Sequence, residues 1–593
     1  MLLSSLPVEL LVGIFNELED KELCRLARLC RPLNHAALEV LFQRHSPTLH
    51  AGVLALYRHP PYVIPALCGA LFLIDRVIHS LQLSFEDPER LVPELKMLTE
   101  IVGSLKSLGH ISLTLSMDGK HAKDRIDPMA FTVAFQNLVN LAVEKGCRQL
   151  WGSGHLPKNA QPLEIGTPGD KPKKQHPWVA ATLLPLRGSF SKLRLFGSKA
   201  KTDAPASLVV DQVQGPMEVD LPTARDLYEI SISSEMFFNP TWVDWTSHIC
   251  NTAPLTCFTL DMVKFKATED WDNYSSMLHL TQLKRLSVYG KDVPKVDLNI
   301  LRLFLQRHSS TLEDLVLRVP TATHTELATT LDTRCFTGCP SAQNQQVTKF
   351  DFPKLSTLSL SPESAQWFIN TLLTTSSSAS NLPLPSLRNV SLLPPMALNP
   401  FPGYHTGLTD ALTALAKLAT LVTSLAPSHG DSTASDGNRQ SQMKWFPELV
   451  ITCGPAQELV PWMKSHCPPD TEPTELGPTP APSPIIALTS VEHLSLHISY
   501  NVTLTNDEFL KTLPHFLRRF SGLKLLALTQ MNFDQVKRLG KAGYWERVKK
   551  SCPKLEKCQF WSRVELDIVK LTTGIWTELD LPPHMRPILA GVV

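Results

Sequence analysis

Neither sign of charge dominates this chain. Across 593 residues, 57 Lys and Arg stand against 56 Asp and Glu, a net charge of +1 at pH 7. Nucleic-acid binding through bulk electrostatics needs a basic face or stripe, so no nucleic-acid partner is expected. The small basic clusters at Lys171–Lys174 and Lys199–Lys201 sit in Pro/Gly-rich surroundings and read as solvated loops. Cysteine is present without a framework. The twelve residues are scattered, the closest pair is Cys335-x3-Cys339, and no second Cys or His pair follows at zinc spacing. A metal site is therefore not expected. No apolar run is long enough for a bilayer: the longest, Tyr62–Ile74, contains Pro65 and reads as a buried helix. Glu9 interrupts what would have to be the apolar core of a secretory signal. With no export signal, the sequons at Asn273, Asn389 and Asn501 are taken as chance matches, and a reduced, cytoplasmic or nuclear setting without membrane contact is expected. Phosphate-binding loops, H-E-x-x-H, G-x-S-x-G and G-x-G-x-x-G are all missing, which predicts no catalytic residue, no cofactor and no enzyme. Gly403-x-x-x-Gly407, with His405 at its centre, reads as a loop in a Pro-rich turn.

What is present starts within the first fifty residues. Pro7 suits a helix start, and Glu9 complements the positive end of the helix dipole. Leu6, Leu10, Leu11, Ile14, Phe15 and Leu18 recur at helical spacing. Asp20 is expected to cap a second helix that turns Leu23, Leu26, Ala27 and Cys30 inward. Pro32 opens a third, with Leu33, Ala37, Val40 and Leu41 as its stripe. Three helices this short bury too little apolar surface to be comfortably stable alone and must complete their core on something else.

The stretch from Leu6 to His45, LPVELLVGIFNELEDKELCRLARLCRPLNHAALEVLFQRH, resembles an F-box. The opening Leu-Pro-x-Glu-Leu-Leu, the Ile14-Phe15 pair, Leu18 and Cys30-Arg31 stand at that family's spacing; Leu33 occupies a place where many F-boxes have Trp. The resemblance implies docking onto the Skp adaptor and, through it, a cullin. The residues it marks as the docking unit are Leu6, Pro7, Leu10, Leu11, Ile14, Phe15 and Leu18, with Leu23, Leu26 and Cys30 from the second helix. Some of these must instead form the internal core, and the sequence does not sort them.

The remainder carries a recurring phrase, apolar-x-x-apolar-x-apolar. Copies start at Ile78, Leu108, Leu138, Leu227, Leu255, Leu283, Leu312, Leu355, Leu387, Val491, Leu523 and Leu555, with weaker ones at Phe190 and Phe446. Three copies are 30 residues apart, four keep steps of 28, 28 and 29, and the last two steps are 32. Such regularity predicts a strand–helix solenoid resembling an irregular leucine-rich repeat, each unit burying its face on its neighbours. Helices are predicted over 299–308, 410–425 and 507–520. Fourteen strands at ~4.8 Å would give an arc of roughly 60–70 Å. Phe237, Phe238, Trp242 and Trp245 read first as a helix packed on the array and second as an exposed anchor; Trp545, Trp561 and Trp576 read as a terminal cap.

The expected fold is therefore α/β. A three-helix F-box over 1–48 and a helical linker over 49–77 precede a leucine-rich-repeat-like array over 78–593. Inserts expected to be disordered interrupt the array at 152–177, 197–222, 427–443 and 467–484, where Pro, Gly, Ser and Thr accumulate. The expected function is a substrate receptor of a Skp–cullin ubiquitin ligase that holds an unidentified target protein. Two other readings remain: a repeat scaffold whose N-terminal helices are only a cap, and a repeat protein that stimulates a GTPase. Residues such as Arg285, Arg388 and Glu492, placed on the concave surface, are mixed in charge and favour no acidic or phosphorylated ligand.

Overall fold

An alternating Leu-x-Leu segment can bury both leucines only by lying extended against a covered face, and this is how most copies of the phrase are folded. In a computed structural model of the chain, the described residues are 6–116, 126–155, 224–261, 280–290, 298–319, 350–376, 384–394, 404–425, 446–453, 456–467, 483–498, 507–529, 543–560 and 564–567, apart from 58, 71, 72, 74–76, 235, 236, 238 and 239. Among them, fifteen strands form one sheet in strict chain order. These are β1 (Val53–Leu56), β2 (Val77–Phe85), β3 (Ser107–Ser116), β4 (Gln149–His155), β5 (Glu229–Ser233), β6 (Cys257–Asp261), β7 (Arg285–Tyr289) and β8 (Asp314–Arg318). They continue with β9 (Thr357–Leu360), β10 (Asn389–Leu392), β11 (Glu448–Cys453), β12 (His493–Ile498), β13 (Leu525–Thr529), β14 (Lys557–Phe560) and β15 (Val564–Asp567). The first fourteen run parallel, which at ~4.8 Å per step makes an array of roughly 62 Å. β15 turns back antiparallel on β14.

Register aligns the inward residues into rows. Leu286, Leu315, Leu358 and Val390 pair in sequence across β7–β10, and each is fully buried. Full burial of one such side chain is worth about 1.5–3 kcal/mol, and a single unit has no surface of its own to supply it. Backbone bonds repeat as well. The carbonyls of Tyr228, Thr256 and Lys284 each accept two N–H groups from the next unit, at 2.7–3.0 Å. Packing and hydrogen bonding therefore both tie neighbour to neighbour.

Helices return the chain between strands: α1 (Val8–Phe15), α2 (Asp20–Leu26) and α3 (Arg31–His45) precede the sheet, and α4 (Val63–Cys68), α5 (Pro88–Ser104), α6 (Pro128–Glu144) and α7 (Pro240–Thr252) follow the first strands. Farther on come α8 (Leu298–His308), α9 (Pro362–Ser376), α10 (Tyr404–Leu425), α11 (Ala456–Ser465), α12 (Asp507–Leu517) and α13 (Tyr544–Ser551). The helices predicted over 299–308, 410–425 and 507–520 correspond to α8, α10 and α12, with α10 beginning earlier at Tyr404. Of the Gly403–Gly407 stretch, expected to be a loop, residues 404–407 form that first turn, and Gly403 lies outside the described residues. There His405 is buried and its Nδ1 lies 3.0 Å from a Glu458 carboxylate oxygen.

Three expectations are corrected. The Leu138 copy lies in α6, because Leu138, Val139 and Ala142 form a buried helical stripe with Phe135. The strand that follows is β4, built on Cys147, Leu150 and Gly152. A Cβ at Gly152 would come within 2.6 Å of the Phe237 ring, so the aromatic occupies the space that the third apolar side chain fills in other units. The insert expected from 152 therefore has its first four residues in β4. Last, the 49–77 linker is not purely helical: Val53–Leu56 pairs with residues 80–83 and opens the sheet, although Val63–Cys68 is a helix with Val63, Ile64 and Leu67 buried. The weak Phe446 copy enters β11, while the Phe190 copy, Cys335, Cys339, Trp561, Trp576, both Lys clusters, and the inserts over 197–222 and 427–443 lie outside the described residues. So do 156–177 and 468–482.

Phe237, Trp242 and Trp245 are buried, which makes them the packing of α7 on α6. Trp242 meets Phe135 edge-on at 5.3 Å, and the Trp245 indole N–H donates to Asn140 at 2.9 Å. Trp545, in the first turn of α13, is likewise buried.

Candidate functional site

The N-terminal helical unit is small enough that its inward and outward residues can be assigned one at a time. In α1, Leu11 and Phe15 stand one turn apart and are fully buried. They pack with Leu23 of α2 and with the stripe of α3 formed by Leu33, Ala37, Val40 and Leu41, all buried. The neighbouring stripe, about 100° round the helix, has no cover. Pro7 is exposed, Leu10 is 56% exposed and Ile14 45%, and their i, i+3, i+7 spacing places them on one side of α1. Val8, at the helix start, and Leu29, after α2, are also exposed. Leu6, Leu18, Leu26 and Cys30 are half-buried and pack against the core.

Thus the structure brings the ten residues marked in the sequence into one unit and divides them: Leu11, Phe15 and Leu23 inward, Pro7, Leu10 and Ile14 outward, the other four between. Val8 and Leu29 were missed: Val8 stands at helical spacing from Leu11 and Phe15 yet is exposed in the first turn, and Leu29 lies beyond the end of α2.

Polar contacts hold this arrangement. α1 ends at Phe15, and Leu18 lies in the turn beyond it. The Arg44 guanidinium donates to the carbonyls of Leu18 at 2.9 Å and Asn16 at 2.8 Å, satisfying groups that a helix C-terminus leaves open. It also donates to the Phe15 carbonyl at 3.3 Å and to Asp20 at 2.7 Å. Asp20 is not the N-cap of α2 as expected. Glu19 precedes the helix there, its backbone N–H donating to the Glu22 carboxylate at 3.1 Å. Asp20 instead takes His45 at 2.7 Å and the Tyr62 hydroxyl at 3.0 Å on its second oxygen. Partial burial opposes its ionisation, but the hydrogen bonds from His45, Arg44 and Tyr62 prevail and hold the carboxyl below its usual range.

Tyr62 belongs to the chain after β1, so this network ties the helical unit to the sheet. Asn34 does the same: its buried side-chain amide donates to the carbonyls of Ala27 and Gly69, each at 2.8 Å. The first strand is also sealed from this side. The Ser46 hydroxyl accepts the Ala55 N–H at 3.1 Å, and the Thr48 hydroxyl donates to the Val53 carbonyl at 3.0 Å. An edge strand otherwise offers these groups to any passing chain. The helical unit is fused to the array rather than tethered to it.

On the sheet, Arg285 pairs with Asp314 at 3.1 Å and Glu492 with Lys524 at 3.5 Å, while Arg388 is exposed just before β10. Among the described residues no group of three His, Cys, Asp or Glu side chains is placed to hold a metal ion, and no helix is long and apolar enough to cross a membrane.

No curated protein sequence matches the chain significantly. A family model described as F-box-like matches residues 3–47, the span of α1–α3. The unit that turns Leu10 and Ile14 outward is thus an F-box-like domain, joined to a parallel strand–helix array.

Proposed function

We propose that this protein is a substrate receptor of a Skp–cullin ubiquitin ligase, with a leucine-rich-repeat-type array as its target-binding part. The observation that carries this reading is the outward apolar stripe of Pro7, Leu10 and Ile14, on the domain that matches the F-box-like model. Contiguous exposed apolar side chains on a small helical unit call for a partner. In this reading the Skp adaptor covers that stripe together with Leu29. Leu11, Phe15 and Leu23 act from beneath by fixing the position of the two outer helices, and Leu6, Leu18, Leu26 and Cys30 form the rim.

The protein acts by position and performs no chemistry of its own. Docking the adaptor brings a cullin and its ubiquitin-conjugating enzyme near a target held on the array. A fixed span between the two sites raises the effective concentration of target lysines. The Asp20–Tyr62, Asn34–Gly69 and Ser46–Ala55 contacts favour such a fixed span, because each crosses from the F-box-like domain to the array. The setting that suits this work is the cytoplasm or nucleus.

Co-expression of the full chain with a Skp adaptor and the N-terminal half of a cullin tests the reading. Co-elution of all three by size exclusion is expected. A folded chain that elutes alone would return the N-terminal helices to the role of a cap on a scaffold.

A further inference from the structure

Three described residues carry a hydroxyl directly before a proline: Ser46, Ser361 and Ser483. Proline-directed protein kinases select this pair because proline brings no backbone N–H for the kinase to satisfy. Two of the three are closed. Ser46 is buried, and its hydroxyl accepts the Ala55 N–H at 3.1 Å. Ser361 is buried too; its hydroxyl lies 3.1 Å from the Val319 carbonyl and accepts the Ser364 N–H at 3.3 Å. Ser483 is half-buried, at the start of the short turn Pro484–Ala487 that leads into β12. Its hydroxyl has one partner among the described residues, the His466 Nδ1 at 3.1 Å.

Hydrogen-bond geometry fixes the state of that imidazole. The Thr409 hydroxyl donates to the His405 carbonyl at 3.0 Å and accepts the Trp462 indole N–H at 3.0 Å. With its proton spent, it can only accept from the His466 Nε2, 3.3 Å away. His466 therefore carries its proton on Nε2 and takes the Ser483 O–H on Nδ1. Burial, reinforced by the charge of Arg519, lowers the His466 pKa, so the ring is neutral at pH 7. Arg519 stands beside it. Its Nε donates to the His466 carbonyl at 3.0 Å, and no described group takes its other two nitrogens.

We propose that Ser483 is a phosphorylation site for a proline-directed kinase, with His466 and Arg519 as the receivers of its phosphate. In the transfer, the Ser483 oxygen bonds to the γ-phosphorus of ATP as the bond to the bridging oxygen of ADP breaks. ADP leaves with that electron pair, and the hydroxyl proton passes to the kinase's base. The product carries a charge of about −1.5 to −2, and acceptor oxygens stand where the hydroxyl was a donor. His466 then takes up a proton. Its Nδ1–H donates to the phosphate while its Nε2–H keeps Thr409, and the open Arg519 nitrogens supply the second cation. His466 and Arg519 follow the C-termini of α11 and α12, whose partial charges of about −0.5 oppose an anion. Two full positive charges outweigh them. The phosphate thus pins the entry to β12 onto the ends of two helices and stiffens the array between β11 and β13. This inference does not depend on the receptor reading.

The test uses the full-length protein with Thr167→Ala and Thr479→Ala, which remove the two threonines before proline outside the described residues. It is treated with magnesium-ATP and a cyclin-dependent kinase, and in a second reaction with a mitogen-activated kinase. Mass spectrometry of the digest should place phosphate on Ser483 and none on Ser46 or Ser361. Phosphorus NMR of the intact product then follows the second ionisation of the phosphate with pH. It should occur at lower pH than in a synthetic phosphopeptide of residues 477–489, and return toward the peptide's value in Arg519→Gln and in His466→Gln. Arg519→Gln changes a half-buried side chain, so it decides the matter if the His466 variant fails to fold. Three results would overturn the inference: no phosphate on Ser483 of the folded chain with either kinase, an ionisation equal to the peptide's, or one that Arg519→Gln leaves unmoved.

Discussion

Leu10 on α1 is 56% exposed, whereas Leu358 on β9 is fully buried. The same side chain serves opposite ends because the two elements present their surfaces differently. On β9, period-two alternation sends Leu358 and Leu360 inward and leaves Thr357 and Ser359 facing out. The same alternation recurs at Ser231 on β5 and Ser391 on β10, where small polar residues occupy the outward row. On α1, Leu11 and Phe15 already meet the needs of the core, yet Leu10 and Ile14 are apolar as well. Scattered exposed apolar residues such as Val133 on α6 and Leu303 on α8 need no explanation singly. A row of three on one short helix is different. What separates the regions is the use of surplus apolar surface: among the described residues, the strands from β6 onward expose no large apolar side chain, and the F-box-like domain concentrates its own on one side.

Core truncation should separate them most strongly. Leu358→Ala removes a fully buried side chain between Leu315 and Val390 and is expected to destabilise the array by about 2–5 kcal/mol in denaturant titration, with adaptor binding unchanged in the folded fraction. The paired change Leu10→Asp with Ile14→Asp should do the reverse. Stability should shift by no more than about 1 kcal/mol, because both positions are exposed, while adaptor affinity should fall on the order of 100-fold as unpaired charge is buried at the interface. A large loss of stability from this pair would erase the distinction between the two surfaces.

Asp20→Asn probes the joint between them. Loss of the charge-assisted bonds to Arg44 and His45 should cost about 1–3 kcal/mol. The pH dependence has a definite sign. The folded carboxyl titrates below its usual value, so its contribution is intact above the unfolded pKa of about 3.9 and is lost as pH falls through the lower folded value. Urea midpoints measured down an acid series should converge for wild type and Asp20→Asn below about pH 3.9; a constant gap would mean the carboxylate is not the stabilising group. The smallest effect belongs to the outward charge pairs. Arg285 is exposed in its pair with Asp314, and Arg285→Ala should move stability by no more than about 0.5 kcal/mol in the same titration.

Much of this was legible in the sequence because the two periodicities involved, 2 and 3.6, leave different imprints. Repeat spacing located β2, β3 and nearly every strand from β5 onward, since each lays down the same three apolar positions. β4 escaped because Gly152 stands where the third should be, its space taken by Phe237 from a segment more than eighty residues later. No local pattern records that substitution. β1 escaped for a related reason: its outer edge is completed by Ser46 and Thr48, which precede it, and the leading position of its phrase holds only Ala51. In the helical unit, periodicity identified the apolar residues of α1 but could not divide them, because Leu10 and Leu11 are equivalent until α3 supplies one side with a neighbour. The exposed Trp151 of β4 was passed over in favour of Trp242 and Trp245, which are more conspicuous as a cluster and are buried. Exposure of a strand residue depends on its register neighbours, and Ser112 and Ser231 lie 39 and 80 residues away from Trp151.

The most direct test of the account is a calorimetric titration of Skp adaptor into the full-length protein and its Leu10→Asp, Ile14→Asp variant, each with a thermal melt. The account predicts one-to-one binding by the wild type, and loss of that binding in a variant whose melting temperature is nearly unchanged. Equal binding by the two proteins, or none by the folded wild type, would contradict it.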